Sequence, residues 1–333
     1  MGETGWLPGP RDAITDVAGV RVGHWTDRRG GTGCTVILCP GSSAAAVDVR
    51  GGAPGTRETD VLASANMVRR CDAVVFSGGS AFGLAAADGV MRWCAENGIG
   101  FTTSTRKVPI VSGAVILDFG IGKGDVSPGA EAGYLAARRA TGGRVAQGSV
   151  GAGTGATVAK ILGPEACLKG GVGTASAVGP RGIVVGALVV TNAVGQVQDP
   201  ATGRIIAGPR GADRGEFVPL PEALARRTEK MDALLEQTTL VCLATNAAID
   251  HRDLQRLAFQ AHDGLARTIN PVHTFGDGDV AFAVALPKVE TKRHDLFSIG
   301  ALAVSVVEQA VLNSVRLATG LHGVPSASEW AGY

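Results

Sequence analysis

The sequence predicts an α/β protein built of layered sheets with helices on the outside. Three observations predict it. The strand-like runs are apolar at successive positions and not only at alternate ones, so both faces of each sheet need cover. Helical patterns are too few for a helix after every strand, which fits layered sheets better than a regular barrel. The 45% apolar residues and 49 glycines among 333 describe a well-buried, tightly turned chain, whereas disorder needs low hydrophobicity.

Apolar, β-rich runs fall at 34–39, 72–76, 108–119, 183–192, 239–245 and 280–286. Helical patterns lie between and after them. Residues 81–97 are Ala-rich and stop at Gly98, and 129–141 stop at Gly142–Gly143. A helix over 221–236 opens with Pro221 near its first turn. Over 251–269, Asp250 is a cap and Leu254, Leu257, Ala258, Ala261, Leu265 and Ile269 recur at helical spacing, until Pro271 ends the helix. A final helix spans roughly 295–318. The one linker-like stretch, 199–221, is rich in Gly, Pro and Arg. No fixed-period repeat is present. The length suits one large domain or two ordinary ones.

Net charge is +1 and the Arg pairs are scattered, so no nucleic-acid footprint is expected. The six cysteines lack CxxC spacing and mostly sit in apolar runs. They read as small apolar residues in a reducing compartment and not as a disulfide framework. No basic segment leads into an apolar one at the N-terminus, and no uncharged apolar run approaches about 18 residues. A cytoplasmic protein with no membrane partner is the expectation.

Chemistry concentrates at two strand starts. Thr238 and Thr239 open the run Leu240–Ala244, and Gly276-Asp277-Gly278-Asp279 opens the run at 280. A threonine freed at its amine by a chain break can use that amine as base for its own hydroxyl. Two β-formers at a strand start and an Asp-Gly turn are the structural alternatives. In extended chain Asp277 and Asp279 share a face, so both carboxylates can converge on a neighbouring strand. Residues 148–160 are glycine-rich and end in Lys160, but they lack GxxxxGK[ST] and a partner acid for GxGxxA. They suit close backbone approach around a pocket, with Lys160 as a site cation, and no nucleotide or other cofactor is expected. Asn192, after an apolar strand, is either a turn residue or an oxyanion amide. Gly79 and Ser80 lie at a strand–glycine turn–helix junction that can aim N–H groups at a ligand, or serve helix packing without one. His262, His273, Asp277 and Asp279 are close in sequence, yet without HExxH or His-x-His spacing, so no metal is expected. GxSxG is absent, which argues against a Ser–His–Asp triad.

Taken together these segments resemble the DmpA family of L-aminopeptidase/D-esterases, which includes β-peptidyl aminopeptidases and the nylon-oligomer (6-aminohexanoate-oligomer) endohydrolase. The blocks run in order through most of the chain: ITDVAGVRVGHWTD, AVDVRGGAPGTRETD, GGSAFGLAAADGVMRW, VPIVSGAVILDFG, GSVGAGTGATVAK, KGGVGTAS, VVTNAVGQVQDP, TTLVCLATNA and AHDGLARTINPVHTFGDGD. The resemblance implies a four-layer αββα sandwich, similar to the ornithine acetyltransferases and superficially to Ntn hydrolases. It implies one domain, residues 1–333, cut by itself into chains 1–237 and 238–333. Thr238 matches the nucleophile, which is Thr in the nylon-oligomer branch. Asp277, Asp279, Lys160 and Asn192 match that branch's acidic pair, lysine and oxyanion asparagine. Gln237 stands before the nucleophile where relatives usually carry Asn or Gly. Leu117 stands in the substrate pocket where some relatives carry an aromatic. A homo-oligomer, a tetramer, is also implied.

The expected function is autoprocessed hydrolysis of a small peptide, amide or ester, with the Thr238 amine as general base. The alternatives are acyl transfer of the ornithine-acetyltransferase type and an unprocessed binding protein without catalysis.

Overall fold

The computed structural model describes residues 6–332 apart from 43, 64 and 228–236. Its longer strands, in chain order, are β1 (Arg21–Asp27), β2 (Thr32–Leu38), β3 (Ala44–Val49), β4 (Ala73–Ser77), β5 (Val111–Val115), β6 (Gly171–Val178), β7 (Val184–Asn192), β8 (Thr238–Ala248) and β9 (Val280–Glu290). The helices used below are α1 (Ala86–Glu96), α2 (Ala130–Arg138), α3 (Leu220–Arg226), α4 (His251–Thr268) and α5 (Asp295–Arg316).

One sheet runs in the order Leu7–Pro8, β6, β7, β8, β9, β3. The other runs β1, β2, β4, β5, Thr56–Arg57. Period-two alternation sorts the all-apolar strands onto two buried faces. Leu240, Cys242 and Phe282 meet Ile37, Val74 and Phe76 between the sheets. Their neighbours Val241, Leu243, Ala281 and Ala283 meet Leu254, Leu257, Val307 and Val311 of α4 and α5. On the far side, Val36, Leu38 and Val75 meet Ala86 and Val90 of α1 and Ala132 and Ala136 of α2. The layers are therefore αββα, as the resemblance implies. Each buried Leu, Val or Phe contributes about 1.5–3 kcal/mol to holding them together.

The expected strands appear as β2, β4, β5, β7, β8 and β9. The run 108–119 is regular in its middle over Val111–Val115, so Leu117 and Asp118 are released to the sheet's end. The helix expected over 221–236 is regular only to Arg226, because Arg227 is extended at φ −63° and ψ 139°; the rest of that segment, 228–236, lies outside the described residues. The stretch expected as linker holds a short strand, Ile205–Ala207, in a small sheet with Gln196–Gln198 and Ile269–Asn270. Asp250 caps α4 as expected, its carboxylate accepting the Asp253 N–H at 2.8 Å, a contact worth about 1 kcal/mol. By length and composition α5 could span a membrane. Here its Ile299, Leu302, Val306 and Val311 are buried against the sheet. The six cysteines are buried free thiols.

Two pairings position the site. β7 is antiparallel to β8, with its last residue Asn192 opposite Thr238. β8 and β9 are parallel, with Leu240 level with Val280. The residues just before both strands are also paired, Gln237 with Asp277.

Candidate active site

Thr238 and Asn192 end adjacent strands side by side, both buried. By alternation with Leu240 and Val190 they face the inter-sheet side. Thr239 takes the opposite face. Its N–H donates to Asp279 Oδ1 at 2.5 Å, while its buried hydroxyl has no partner among the described residues. Of the two threonines, it is therefore Thr238 that shares a face with Asn192.

The Thr238 hydroxyl donates to the Gln237 carbonyl oxygen at 2.5 Å. The same oxygen accepts the Gly278 N–H at 2.9 Å. Gly278 permits this approach because it has no side chain: a Cβ there would lie 2.6 Å from Thr238 Oγ1. The Gly276–Asp279 segment is clamped from its other side by residues 50–53. Ala53 N–H donates to the Asp277 carbonyl at 2.8 Å and Arg50 N–H to the Asp279 carbonyl at 3.0 Å.

The Asn192 amide is fixed at both ends. Its Oδ1 accepts the Thr157 N–H at 3.0 Å and Lys160 Nζ at 2.9 Å. Its Nδ2 donates to the Leu117 carbonyl at 3.2 Å. Lys160 reaches over the end of β7 from a short 3-10 turn, Lys160–Leu162, which the chain enters through Ala159 at φ 60° and ψ 44°. Leu117 thus meets the site through its backbone carbonyl.

Asp277 and Asp279 are both buried and both lie against the start of β8. Asp277 runs beside Gln237, and its Oδ2 accepts the Thr274 N–H at 2.5 Å. Burial, and then the Asp279 charge, push its carboxyl up from 3.8 to about 6. Asp279 accepts Thr239 N–H, His273 N–H at 3.2 Å and His273 Nδ1 at 2.7 Å. The His273 ring stacks edge-on against His262 at 4.7 Å between centroids. Burial pushes the His262 imidazole down to about 4. The two rings thus pair with each other beside Asp279. Among the described residues no group of three or more His, Cys, Asp or Glu is arranged to hold a metal ion.

Gly79 and Ser80 sit at the end of the second sheet, but their N–H groups point inward. Gly79 N–H donates to Asp118 Oδ1 at 2.7 Å and Ser80 N–H to the Ile116 carbonyl at 2.9 Å. Both donors are thus taken up within the fold, as the packing alternative has it. Sequence reasoning also missed three residues: Gly278 and His273 in the contacts above, and Lys169, which is buried with its Nζ on the Thr154 and Ala156 carbonyls. In the sequence Gly278 reads only as part of a turn, although GDGD beside a strand start marks the place. His273 reads there only as a candidate metal ligand. Lys169 resembled any lone surface lysine, and no pattern in the sequence distinguishes it.

The model of peptidase family S58 matches residues 12–328, and the chain belongs to that family, which makes it a hydrolase of amide bonds. An uncharacterised aminopeptidase of Mycobacterium leprae is 44% identical over 96% of this chain and 94% of its own. The 6-aminohexanoate-oligomer endohydrolase of Kocuria sp. is 31% identical over 90% of this chain and 85% of its own. The solved L-aminopeptidase D-Ala-esterase/amidase of Ochrobactrum anthropi, described as a variant of the Ntn hydrolase fold, superposes with a TM-score of 0.72 at 23% identity. It covers 96% of this chain and 90% of its own, and at that identity it speaks for the fold alone.

Proposed function

We propose that the chain is an autoproteolytically activated N-terminal-threonine hydrolase of peptides or other linear amides, with Thr238 as nucleophile. One observation carries this reading. The Thr238 hydroxyl lies against the carbonyl of its own preceding residue, and that carbonyl already accepts the Gly278 N–H. A donor aimed at a carbonyl oxygen stabilises the negative charge that attack would place on it.

In the precursor, Thr238 Oγ1 attacks the Gln237 carbonyl carbon. The Gln237–Thr238 C–N bond breaks, an ester links Gln237 to Oγ1, and the amine is freed with a proton from the hydroxyl. Water then cleaves the ester, leaving a carboxylate on Gln237 and a free threonine at the head of chain 238–333. In the mature enzyme that amine, with an ordinary pKa of about 7.7–8.0, takes the hydroxyl proton as Oγ1 attacks the substrate amide. Asn192 supports the oxyanion, with Lys160 fixing its amide oxygen. Asp277, alongside Gln237, holds the ammonium that forms. Asp279 keeps the first peptide of β8 in place through the Thr239 N–H. The relatives' names support peptides and aminohexanoate oligomers as the substrate range to try first.

Denaturing mass spectrometry tests the reading. The purified protein should resolve into chains 1–237 and 238–333, while Thr238→Ala should stay whole. A wild-type chain that remains intact through prolonged incubation overturns it.

A further inference from the structure

Lys169 is the largest charged side chain in the core, with no exposed surface. Lysines are almost never fully buried unless paired, because an unpaired ammonium loses its water at high cost. Its Nζ donates to the Thr154 carbonyl at 2.8 Å and to the Ala156 carbonyl at 2.5 Å. These two groups flank Gly155. Against Gly155 lies a second buried charge, Asp118: a Cβ on Gly155 would be 2.7 Å from the Asp118 Cβ and 2.7 Å from its Oδ2. Asp118 is in turn fixed by the Thr32 hydroxyl and the Gly79 N–H, each at 2.7 Å. Burial pushes the Asp118 carboxyl up to about 6 and the Lys169 ammonium down to about 7, and each charge offsets part of the other's penalty. The hydrogen bonds each group makes offset more of that cost, and they also tie both groups to the backbone around them.

The position they share leads to Asn192. The residue after Ala156 is Thr157, whose N–H holds Asn192 Oδ1. Thr157 is also paired directly with Lys169 across a two-stranded ladder. The residue before Asp118 is Leu117, whose carbonyl holds Asn192 Nδ2. Both backbone grips on the amide are therefore one bond away from a group anchored by the buried pair.

We propose that Lys169 and Asp118 are positioning residues for the Asn192 amide, bracing from two sides the turn and the strand end that grip it. The catalytic part of this rests on reading Asn192 as the oxyanion donor; the positional part does not. A hydrogen-bond donor contributes to a transition state only if it is already aimed, so a brace two residues away can govern rate without touching substrate.

Two readouts separate these parts. The first is the side-chain NH₂ signal of Asn192 in protein labelled with ¹⁵N-asparagine. Lys169→Met and Asp118→Asn should each shift or broaden it. The Asn246 side chain, held by Val184 N–H and the Gly182 carbonyl, should not move. The second is hydrolysis of alanine p-nitroanilide per titrated active site of cleaved enzyme. Lys169→Met and Asn192→Ala should each lower kcat at least about tenfold with KM unchanged, and the double variant should be no slower than Asn192→Ala alone. An unmoved Asn192 signal in both folded brace variants overturns the proposal, and so do rate losses that multiply. If Asn192→Ala turns over like wild type, the oxyanion reading falls instead and the signal alone decides the brace. Should Lys169→Met fail to fold, Asp118→Asn, which preserves shape, is judged by the same two readouts.

Discussion

Asp277 is buried beside the Gln237–Thr238 peptide, and its carboxyl is raised to about 6 by desolvation and then by Asp279. Below that pH it is neutral and, on the proposed mechanism, offers no charge to an ammonium on Thr238. Hydrolysis should fall off on the acid side first as the Thr238 amine, the proposed base, takes up its proton below about pH 8, and further as Asp277 protonates. In cleaved Asp277→Asn enzyme the lower of these two steps should vanish while the amine's step stays, and turnover should drop about a hundredfold, the scale of a positioned acid–base partner. Stability should move the other way. The folded chain binds this proton more tightly than the unfolded chain does. The side chain's stabilising contribution is then complete below about pH 4 and lost as pH rises through about 6. Asp277→Asn should accordingly melt above wild type at pH 8, by roughly 2 °C or more, with the gap closing toward pH 4. A variant with wild-type turnover and an unchanged acid limb would show that this carboxylate only shapes the turn.

At the level of elements, the junction of β8 and β9 does most of the positioning. The parallel ladder does not stop where the strands begin, since Gln237 and Asp277 continue it backwards. Only a glycine passes there, as Gly278 does. Gly278→Ala would drive a methyl to 2.6 Å from Thr238 Oγ1 and displace the hydroxyl. Self-cleavage should slow at least about tenfold, which is about 1.4 kcal/mol in the barrier. Far-ultraviolet circular dichroism should be unchanged. Intact-mass time courses check it, and wild-type kinetics in the variant would remove Gly278 from the mechanism. How much of this was legible follows the same lines. The strands rich in Val, Ile and Leu announced themselves, and α4 did so through Asp250 and its periodic leucines. β1, β3 and β6 did not, because sequences such as Arg21–Asp27 and Gly171–Val178 mix glycine, threonine and alanine into weak patterns. β6 needs those small residues: a Cβ on Gly173 would sit 1.9 Å from the Ala310 carbonyl of α5. In the site, Thr238, Asp277 and Asp279 could be singled out from where they stand on their strands. That Asn192 lies opposite Thr238, and that Lys169 points inward, are consequences of long-range pairing that no local pattern records.

For the whole molecule, the order of the six-stranded sheet sets what happens after a cut. β8 and β9 lie between β7 and β3, and both of those neighbours come from the part of the chain before Thr238. The segment 238–333 also brings α4 and α5, whose leucines and valines fill one of the two helix-side cores. Breaking the Gln237–Thr238 bond should therefore yield two polypeptides that stay together through denaturant-free chromatography. Each piece made alone should aggregate, and refolding them as a mixture should restore turnover. A folded, soluble 1–237 by itself would contradict this. On the proposed reading the middle of the sheet is a subunit interface in waiting: before a cut its ladders are part of one fold, and after one the same hydrogen bonds would become the contact that makes a heterodimer, with no new surface needed to hold the halves.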